Sequence, residues 1–373
     1  MSIAEKLIKI AENEQKVYEA GKTEGYEAGK TKDYEAGKTE GYEAGKTEGY
    51  EEAEAVTMAL IDRSITELVI PVGTKIIGAN ALAYAARLTK LTIPEGVEWI
   101  GSSALSYMGQ MKKIDLPLSC KSITSYSMQG SSNLECIRFG DTREIQICAC
   151  QRLGKCVTYD FSRNTSVPTL TNTNAFDGIN ASAKILVPPS LYHEWIETTN
   201  WSAYADYILV KAPEFPDPGY VSQGLEINNG IVEGLGSCTD STVVIPSEYN
   251  GEPVTDIAIS GMEEETIEHL VFNDLICYVS WTLGYLPELK RVTFGAGLKG
   301  VGPGVFNENA KCTVYDFTRC LAVPELQLLL GDEVCSFTGM PDDCRIYVPH
   351  SLYDEWINDT NWSYYADRIV PAI

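Results

Sequence analysis

The residues with the greatest capacity for chemistry are few and scattered. His193, His269 and His350 are the only histidines among 373 residues. A nucleophilic or general-base site needs an imidazole beside a hydroxyl, thiol or carboxylate. No such grouping repeats when the two similar halves of the chain are aligned, because His193 falls opposite Asp354 and His350 opposite Pro189. Cys148, Cys150 and Cys156 are the one cluster of thiols. They offer three soft ligands for zinc, but a fourth is not evident, so they read as buried thiols in a turn. The glycine-rich stretch GAGLKGVGPG at 295–304 lacks the Lys-Ser/Thr ending by which a phosphate loop holds a nucleotide. Glu263-Glu264-Glu265 reads as a solvated acidic face. The expectation is a non-enzyme with no catalytic residues, no metal site and no cofactor.

Composition narrows the remaining classes. A formal net charge of −23 argues against a nucleic-acid partner, which would need clustered Lys and Arg to neutralise phosphate. The apolar runs are short, so no membrane insertion is expected. The opening MSIAEKLIKIAENEQK lacks the unbroken apolar stretch and small-residue cleavage site of a secretory signal. Eleven cysteines, an odd number, form no paired framework and point to reduced thiols in a protein assembled in a cytosol.

The elements that would position any site come from repetition at three scales. The first is an octad strip, in which Tyr18, Tyr26, Tyr34, Tyr42 and Tyr50 recur on an eight-residue beat and Gly21, Gly25 and Gly29 begin a row of glycines every fourth residue. Ile3, Leu7, Ile10 and Val17 ahead of it give a short a/d seam after a Ser2/Glu5 capping box. A glycine every four residues lets backbones approach closely, so a self-associating helical stalk is expected, trimeric in preference to dimeric. A solvated spacer is the alternative. In composition the strip resembles the glycine-repeat helices of flagellar export-ATPase regulators.

The second scale is a period of 23. Ile70, Ile93, Leu116 and Phe139 lie 23 apart, and Ile77, Ile100 and Ile123 keep the same beat, as do Leu82, Leu105 and Met128. Registers that agree over several periods signal a solenoid, whose units bury their apolar faces only by stacking. Each unit should supply one short strand ended by a proline and a turn with a short helix. The stretch LTIPEGVEWIGSSAL from Leu91 resembles the BspA-like leucine-rich repeat, whose consensus runs Leu-x-x-Ile-x-Ile-Pro, Val-x-x-Ile-Gly, Ala-Phe. The chain departs from it at Leu82, Leu105 and Met128, where the family usually has Phe. STVVIPSEYNGEPVTDIAISGM from Ser241 resembles a second entry into the same family. The resemblance implies binding surfaces in general.

The third scale is a duplicated ending. YDFSRNTSVPTL at Tyr159 returns as YDFTRCLAVPEL at Tyr315, and SLYHEWIETTNW at Ser190 returns as SLYDEWINDTNW at Ser351. Each copy should close a solenoid with a helix capped by Ser190 or Ser351 and with Trp195, Trp201, Trp356 and Trp362 in the core, though exposed tryptophans would suit carbohydrate stacking. The fold expected is therefore an α+β repeat solenoid in two tandem copies, preceded by a helical, coiled-coil-like stalk. Its parts are an amphipathic helix at 1–17, the octads at 18–62, a first solenoid at 63–211, a proline-rich linker at 212–219 and a second solenoid at 220–373.

Two capped solenoids behind a self-associating strip have the layout of a fibre. The combination resembles minor tail or baseplate proteins of phages infecting gut Firmicutes, which implies a virion protein assembled in the host cytoplasm. Its partners would be its own copies, other tail or baseplate proteins, and a host-surface glycan or protein. The alternatives are a bacterial cell-surface adhesin and an intracellular protein-binding scaffold. Recognition is expected on side chains flanking the inward pair of each strand: Thr92, Asp115, Arg138 and Asp160 in one outward ladder, with Lys90 and Lys113 beside it, and Thr293 and Asp316 in the corresponding row of the second solenoid.

Overall fold

A strand that must stack on copies of itself needs only one or two inward side chains and a clean stop. Leu91-Thr92-Ile93-Pro94 meets this description: Ile93 is buried, Thr92 is exposed, and the proline has no N–H with which to extend a ladder. The computed structural model describes residues 65–214, 220–258, 266–280, 286–327 and 336–373. Ile3, Leu7, Ile10, Val17, Gly21, Gly25, Gly29 and the rest of the expected stalk lie outside these residues. The chain divides into two compact units, 1–208 and 209–373.

The first unit is a parallel-strand β-solenoid. One side carries β1 (Glu67–Val69), β3 (Lys90–Thr92), β5 (Lys113–Asp115), β7 (Cys136–Arg138), β9 (Thr158–Asp160) and β11 (Lys184–Val187). A second side carries β2 (Ile76–Ile77), β4 (Trp99–Ile100), β6 (Ser122–Ile123), β8 (Glu144–Ile145) and β10 (Thr169–Leu170). Lys90 pairs with Glu67, Cys136 with Lys113 and Thr158 with Cys136, all parallel, so equivalent residues of successive coils lie side by side. Ile70, Ile77, Leu82, Leu105, Leu116, Met128 and Phe139 fill the interior, each at most 3% exposed.

The third side is not the short helix expected. Asn80, Leu82 and Tyr84 donate their N–H groups to the carbonyls of Ser102, Ala104 and Ser106 in the next coil, at 2.8, 2.8 and 2.9 Å. The intervening Ala81, Ala83 and Ala85 donate three residues back within their own coil. Asn80 and Tyr84 have left-handed backbones, with φ of 58° and 59°, and Ser103 and Tyr107 repeat this at 55° and 54°. A left-handed residue every four breaks an α-helix, while coil-to-coil bonds satisfy the donors that a helix would have used internally. Tyr84 and Tyr107 stack with ring centroids 4.9 Å apart, and Gly130 makes room for the Tyr107 ring, which a Cβ there would approach to 2.5 Å.

The first unit ends in a 3₁₀ turn (Pro189–Leu191), helix α1 (Tyr192–Glu197) and a second 3₁₀ turn (Trp201–Tyr207). Ser190 lies inside the first turn and the residue preceding α1 is Leu191, so the expected serine cap is replaced by a turn that leads directly into the helix. Trp195 and Trp201 are fully buried, Phe161 packs against both, and the Trp201 indole N–H donates to the Pro168 carbonyl at 2.7 Å.

β12 (Ile208–Val210) spans the boundary between the units. The second unit opens with the antiparallel pair β13 (Glu226–Asn228) and β14 (Ile231–Gly234), and a small hairpin of β16 (Glu248–Tyr249) and β17 (Glu252–Pro253) follows β15 (Thr242–Val244). β18 (Asp256–Ile257) runs parallel to β14. The solenoid proper has β15, β19 (His269–Val271), β21 (Arg291–Thr293), β23 (Val314–Asp316), β25 (Arg345–Pro349) and β26 (Ile369–Ala372) on one side. β20 (Tyr278–Val279), β22 (Gly300–Val301) and β24 (Glu325–Leu326) form another. Helix α2 (Tyr353–Asn358) repeats the end cap: Trp356 and Trp362 are fully buried against Phe317, and Trp362 donates to the Pro324 carbonyl at 2.6 Å.

Two glycines hold equivalent places where coils come closest. A Cβ on Gly140 would lie 1.9 Å from the Pro117 carbonyl oxygen, and one on Gly295 would lie 2.0 Å from that of Asn273. Backbone cannot yield as a flexible side chain does, so Gly140→Ala is expected to destabilise the first unit by about 1–3 kcal/mol, the usual cost of overpacking. Hydrogen exchange should show faster opening of β5 and β7 and unchanged protection of β21 and β23.

Candidate functional site

In a strand whose alternate residues point inward, the remaining two of three point outward and align with those of the next coil. On the first unit β1 and β3 align Glu67 with Lys90 and Val69 with Thr92, and from β5 to β11 one row holds Lys113, Cys136, Thr158 and Lys184 and another Asp115, Arg138, Asp160 and Leu186. Lys90, Thr92, Lys113 and Asp115 are exposed, and Arg138 and Asp160 are half-buried. Asp115, Arg138 and Asp160 stand in register on paired strands, and their charges are partly engaged with one another. Arg138 lies 3.9 Å from Asp115 and 3.6 Å from Asp160, while Arg163 reaches Asp115 at 3.0 Å and also donates to the Leu116 and Phe139 carbonyls. Lys90 pairs with Glu67 at 3.5 Å. Arg163 was not among the expected residues; its place in the repeated YDFSR motif, three residues past Asp160, was the available signal.

The second unit departs from expectation. Thr293 is fully buried and Asp316 is 2% exposed, so neither stands in an open row. Val244, Val271, Tyr347 and Val370 of the same row are also buried. The described part of the segment expected to be a linker bonds to these strands. Ala212 donates to the Ile373 carbonyl at 2.9 Å, beyond β26, and Val210 pairs with Ala372. The Glu214 carbonyl accepts from Arg291 on β21 at 2.5 Å, and Ser222 donates its N–H to Val244 on β15 at 2.9 Å. These bonds hold the described residues 210–214 and 220–222, here called the strap, on the last, a middle and the first strand of the second unit. Residues 215–219 lie outside the described residues.

The polar groups of this row bond chiefly to one another. Arg291 donates to Asp316 at 2.8 Å, and Asp316 accepts from the Thr318 N–H and hydroxyl. His269 Nε2 lies 2.9 Å from the Thr293 hydroxyl. Burial and, less strongly, the Arg291 cation lower the His269 pKa to about 4, so the imidazole is neutral at pH 7. Asp141 on the first unit shows the reverse balance. Burial alone would raise its pKa, but hydrogen bonds from Lys121 and Thr165 bring it down to about 2.

The other residues with chemical capacity are spread through the interior. Cys148, Cys150 and Cys156 are buried free thiols, and burial pushes Cys156 up to about 11. Among the described residues, no group of His, Cys, Asp and Glu could hold a metal ion, and no helix is long and apolar enough to cross a membrane. Gly300 and Gly302 of the glycine-rich stretch pack on Tyr278 and Ser280 at a coil corner.

Residues 59–185 match the sequence model of the BspA type leucine rich repeat region in six copies. Over these residues the chain is similar to BspA-type leucine-rich repeats. None of the curated proteins matches the chain. Three solved structures align with it at low similarity. A leucine-rich repeat protein from Bacteroides ovatus is 16% identical, covering 79% of this chain and 82% of that one, with a TM-score of 0.23. The pneumococcal vaccine antigen PcpA is 12% identical over 83% and 79%, at 0.24. A leucine rich cell surface protein from Faecalibacterium prausnitzii is 17% identical over 77% and 74%, at 0.19. In the first unit Thr92 and Asp115 stand exposed, whereas the matching row of the second unit, from Val244 to Val370, is buried.

The two shifted groups titrate in separate windows. His269 has a folded pKa below its ordinary 6.5, so its contribution to stability is complete above pH 6.5 and is lost as pH falls towards about 4. Asp141 contributes fully above its ordinary 3.8 and loses this only as pH falls through about 2. The protection of β19 and β21 against hydrogen exchange, relative to the intrinsic rate at each pH, should therefore fall between pH 7 and 4.5, and His269→Gln should flatten that dependence without altering the first unit.

Proposed function

We propose that the protein is a non-catalytic recognition protein that binds a bacterial cell surface through the outward face of its BspA-type repeats. The observation that carries this reading is the outward row Asp115, Arg138 and Asp160, on paired strands about 4.8 Å apart, with Thr92 exposed on β3. A row of polar groups at fixed intervals suits a repetitive surface polymer, such as a cell-wall glycan, or a protein of that surface. The three histidines support a non-enzymatic role: His193 and His350 fall at different places in the two caps, and His269 is neutral and bonded under the strap.

Within that reading, the chain acts as a tail-fibre or baseplate protein of a phage, assembled in the host cytoplasm and joined to its own copies through the octad strip. The support is the order of parts, a Tyr/Gly octad strip ahead of two end-capped units. A cell-surface adhesin of a bacterium shares the recognition face and differs in what holds the N-terminal strip.

Binding to whole bacterial cells is the test of the recognition face. The full chain should bind, and Asp115→Ala with Arg138→Ala should weaken binding at least tenfold while leaving the circular dichroism unchanged. Cell binding that survives both changes would remove the first unit's face from this role. Light scattering tests the strip separately: the full chain should have three times the mass of one protomer, and a chain starting at Ile65 should be monomeric. Equal monomeric masses for both would make the strip a spacer.

A further inference from the structure

Asn-Gly occurs twice in this chain, at Asn229-Gly230 and at Asn250-Gly251. Both pairs form the tips of two-residue hairpins, β13–β14 and β16–β17. Asn229 and Gly230 have φ of 50° and 75°, and Asn250 and Gly251 have φ of 51° and 84°. Left-handed backbone at both central residues marks a type I′ turn, for which Asn-Gly is the favoured pair. The same pair has a chemistry of its own. Glycine has no side chain to shield its backbone nitrogen, so that nitrogen can attack the side-chain amide carbon of the asparagine before it. A closed turn prevents this, because the ring that forms needs an asparagine ψ far from the value of about 30° in a type I′ turn. The turn must open first, and its frequency of opening sets the rate.

The two hairpins differ in what keeps them closed. Around Asn229, β13 and β14 bury Ile227 and Val232 in the apolar core, and β14 is paired in turn with β18. The Asn228 side-chain amide donates to Glu233 across the hairpin at 2.6 Å. The Gly230 carbonyl accepts from the N–H groups of Thr255 and Asp256 at 2.9 and 3.3 Å, and Gly230 itself is buried. Around Asn250, β16 and β17 form a two-stranded sheet by themselves, with two residues in each strand. Glu248, Tyr249, Glu252 and Pro253 are all exposed, and Pro253 has no N–H to give its partner Glu248. Strands this short are marginal without a packed face. The base of this hairpin is fixed separately. The buried Asn273 side chain donates to the Pro246 and Val254 carbonyls at 2.7 and 3.0 Å, and the Val254 N–H donates to Ser247 at 3.0 Å. The tip from Glu248 to Pro253 can therefore open while the core beneath it stays shut.

We propose that Asn250 is a site of spontaneous covalent modification, converting to aspartate and isoaspartate in the folded protein, while Asn229 is protected by its hairpin. The Gly251 nitrogen loses its proton to hydroxide and bonds to Asn250 Cγ. The bond from Cγ to the side-chain nitrogen breaks, and that nitrogen takes a proton from water and leaves as ammonia. A second water opens the resulting succinimide at either carbonyl. In sum, one asparagine and one water give one aspartyl residue and one ammonia, with no change of oxidation state. Each event adds one negative charge at pH 7. The isoaspartyl product also places an extra methylene in the backbone, and the Tyr249–Glu252 register, which depends on a two-residue turn, is lost. The site lies on the second unit and is independent of the recognition face of the first.

The test ages the full chain in mildly alkaline buffer. Mass spectrometry follows the fragments that hold Asn229 and Asn250, with isoaspartate identified by electron-transfer fragmentation. In the folded chain Asn250 should convert at least tenfold faster than Asn229 and give both products. In urea that unfolds the chain, the two should convert at similar rates, because both are then plain Asn-Gly pairs. Gly251→Ala should slow conversion at Asn250 at least tenfold, since a Cβ shields the attacking nitrogen. Equal rates at the two sites in the folded chain would overturn the proposal, and so would an Asn250 that converts only in urea. A rate at Asn250 unchanged by Gly251→Ala would overturn the attack by the Gly251 nitrogen and the proposal with it.

Discussion

Everything in this structure depends on backbone hydrogen bonds that run from one coil to the next. A strand of two or three residues cannot hold itself together, and a single coil has no interior. Stacked at about 4.8 Å, the coils satisfy each other's N–H and C=O groups and close the apolar side chains between them. The constraint acts on each of the three sides of the first unit. On the third side it overrides the local tendency to form a helix, because Asn80, Leu82 and Tyr84 donate to the following coil and the backbone turns left-handed between them. A left-handed non-glycine residue costs on the order of 1–3 kcal/mol, and it persists because the neighbouring coils fix the path.

The same constraint explains the glycines and the caps. Where the path brings a coil against a carbonyl of its neighbour, as at Gly140 and Gly295, no side chain fits. Where the stack ends, the interior would open to water, and the duplicated aromatic group closes it. Phe139 stacks on Phe161 and Phe294 on Phe317, at 3.8 and 4.0 Å, and each column finishes against two tryptophans. The tryptophans are thus part of the fold, and carbohydrate stacking on their rings is closed off by burial.

Function on such a scaffold is left to the outward rows, since inward positions are committed to packing. The two units use these rows differently. In the first, opposite charges alternate along the row, Asp115, Arg138, Asp160, with solvent on one side. In the second, the row is mostly apolar, Val244, Val271, Tyr347 and Val370, and the few polar members are neutralised in pairs before they are covered. Burying an arginine beside an aspartate is tolerable only when both are hydrogen-bonded, and here the Glu214 carbonyl and Thr318 each add a bond to the pair.

Much of this was legible in the sequence because a solenoid writes its geometry as a period. The 23-residue beat identified the inward residues Ile70, Ile93, Leu116 and Phe139, and the duplicated ending identified the buried tryptophans, since both are properties of nearest neighbours in a stack. The outward placement of Thr92, Asp115 and Arg138 followed from the same alternation. Three features were decided only by the tertiary structure. The helix expected in each repeat gave way to a turn bonded to the next coil, Arg163 swung back two strands to reach Asp115, and Ala212, Glu214 and Ser222 bonded to strands of the second unit. That last arrangement buried Thr293 and Asp316, which alternation alone placed in the open. Periodicity reports which face of a strand a residue occupies, but whether that face meets water depends on where a distant, non-repeating stretch of chain comes to rest.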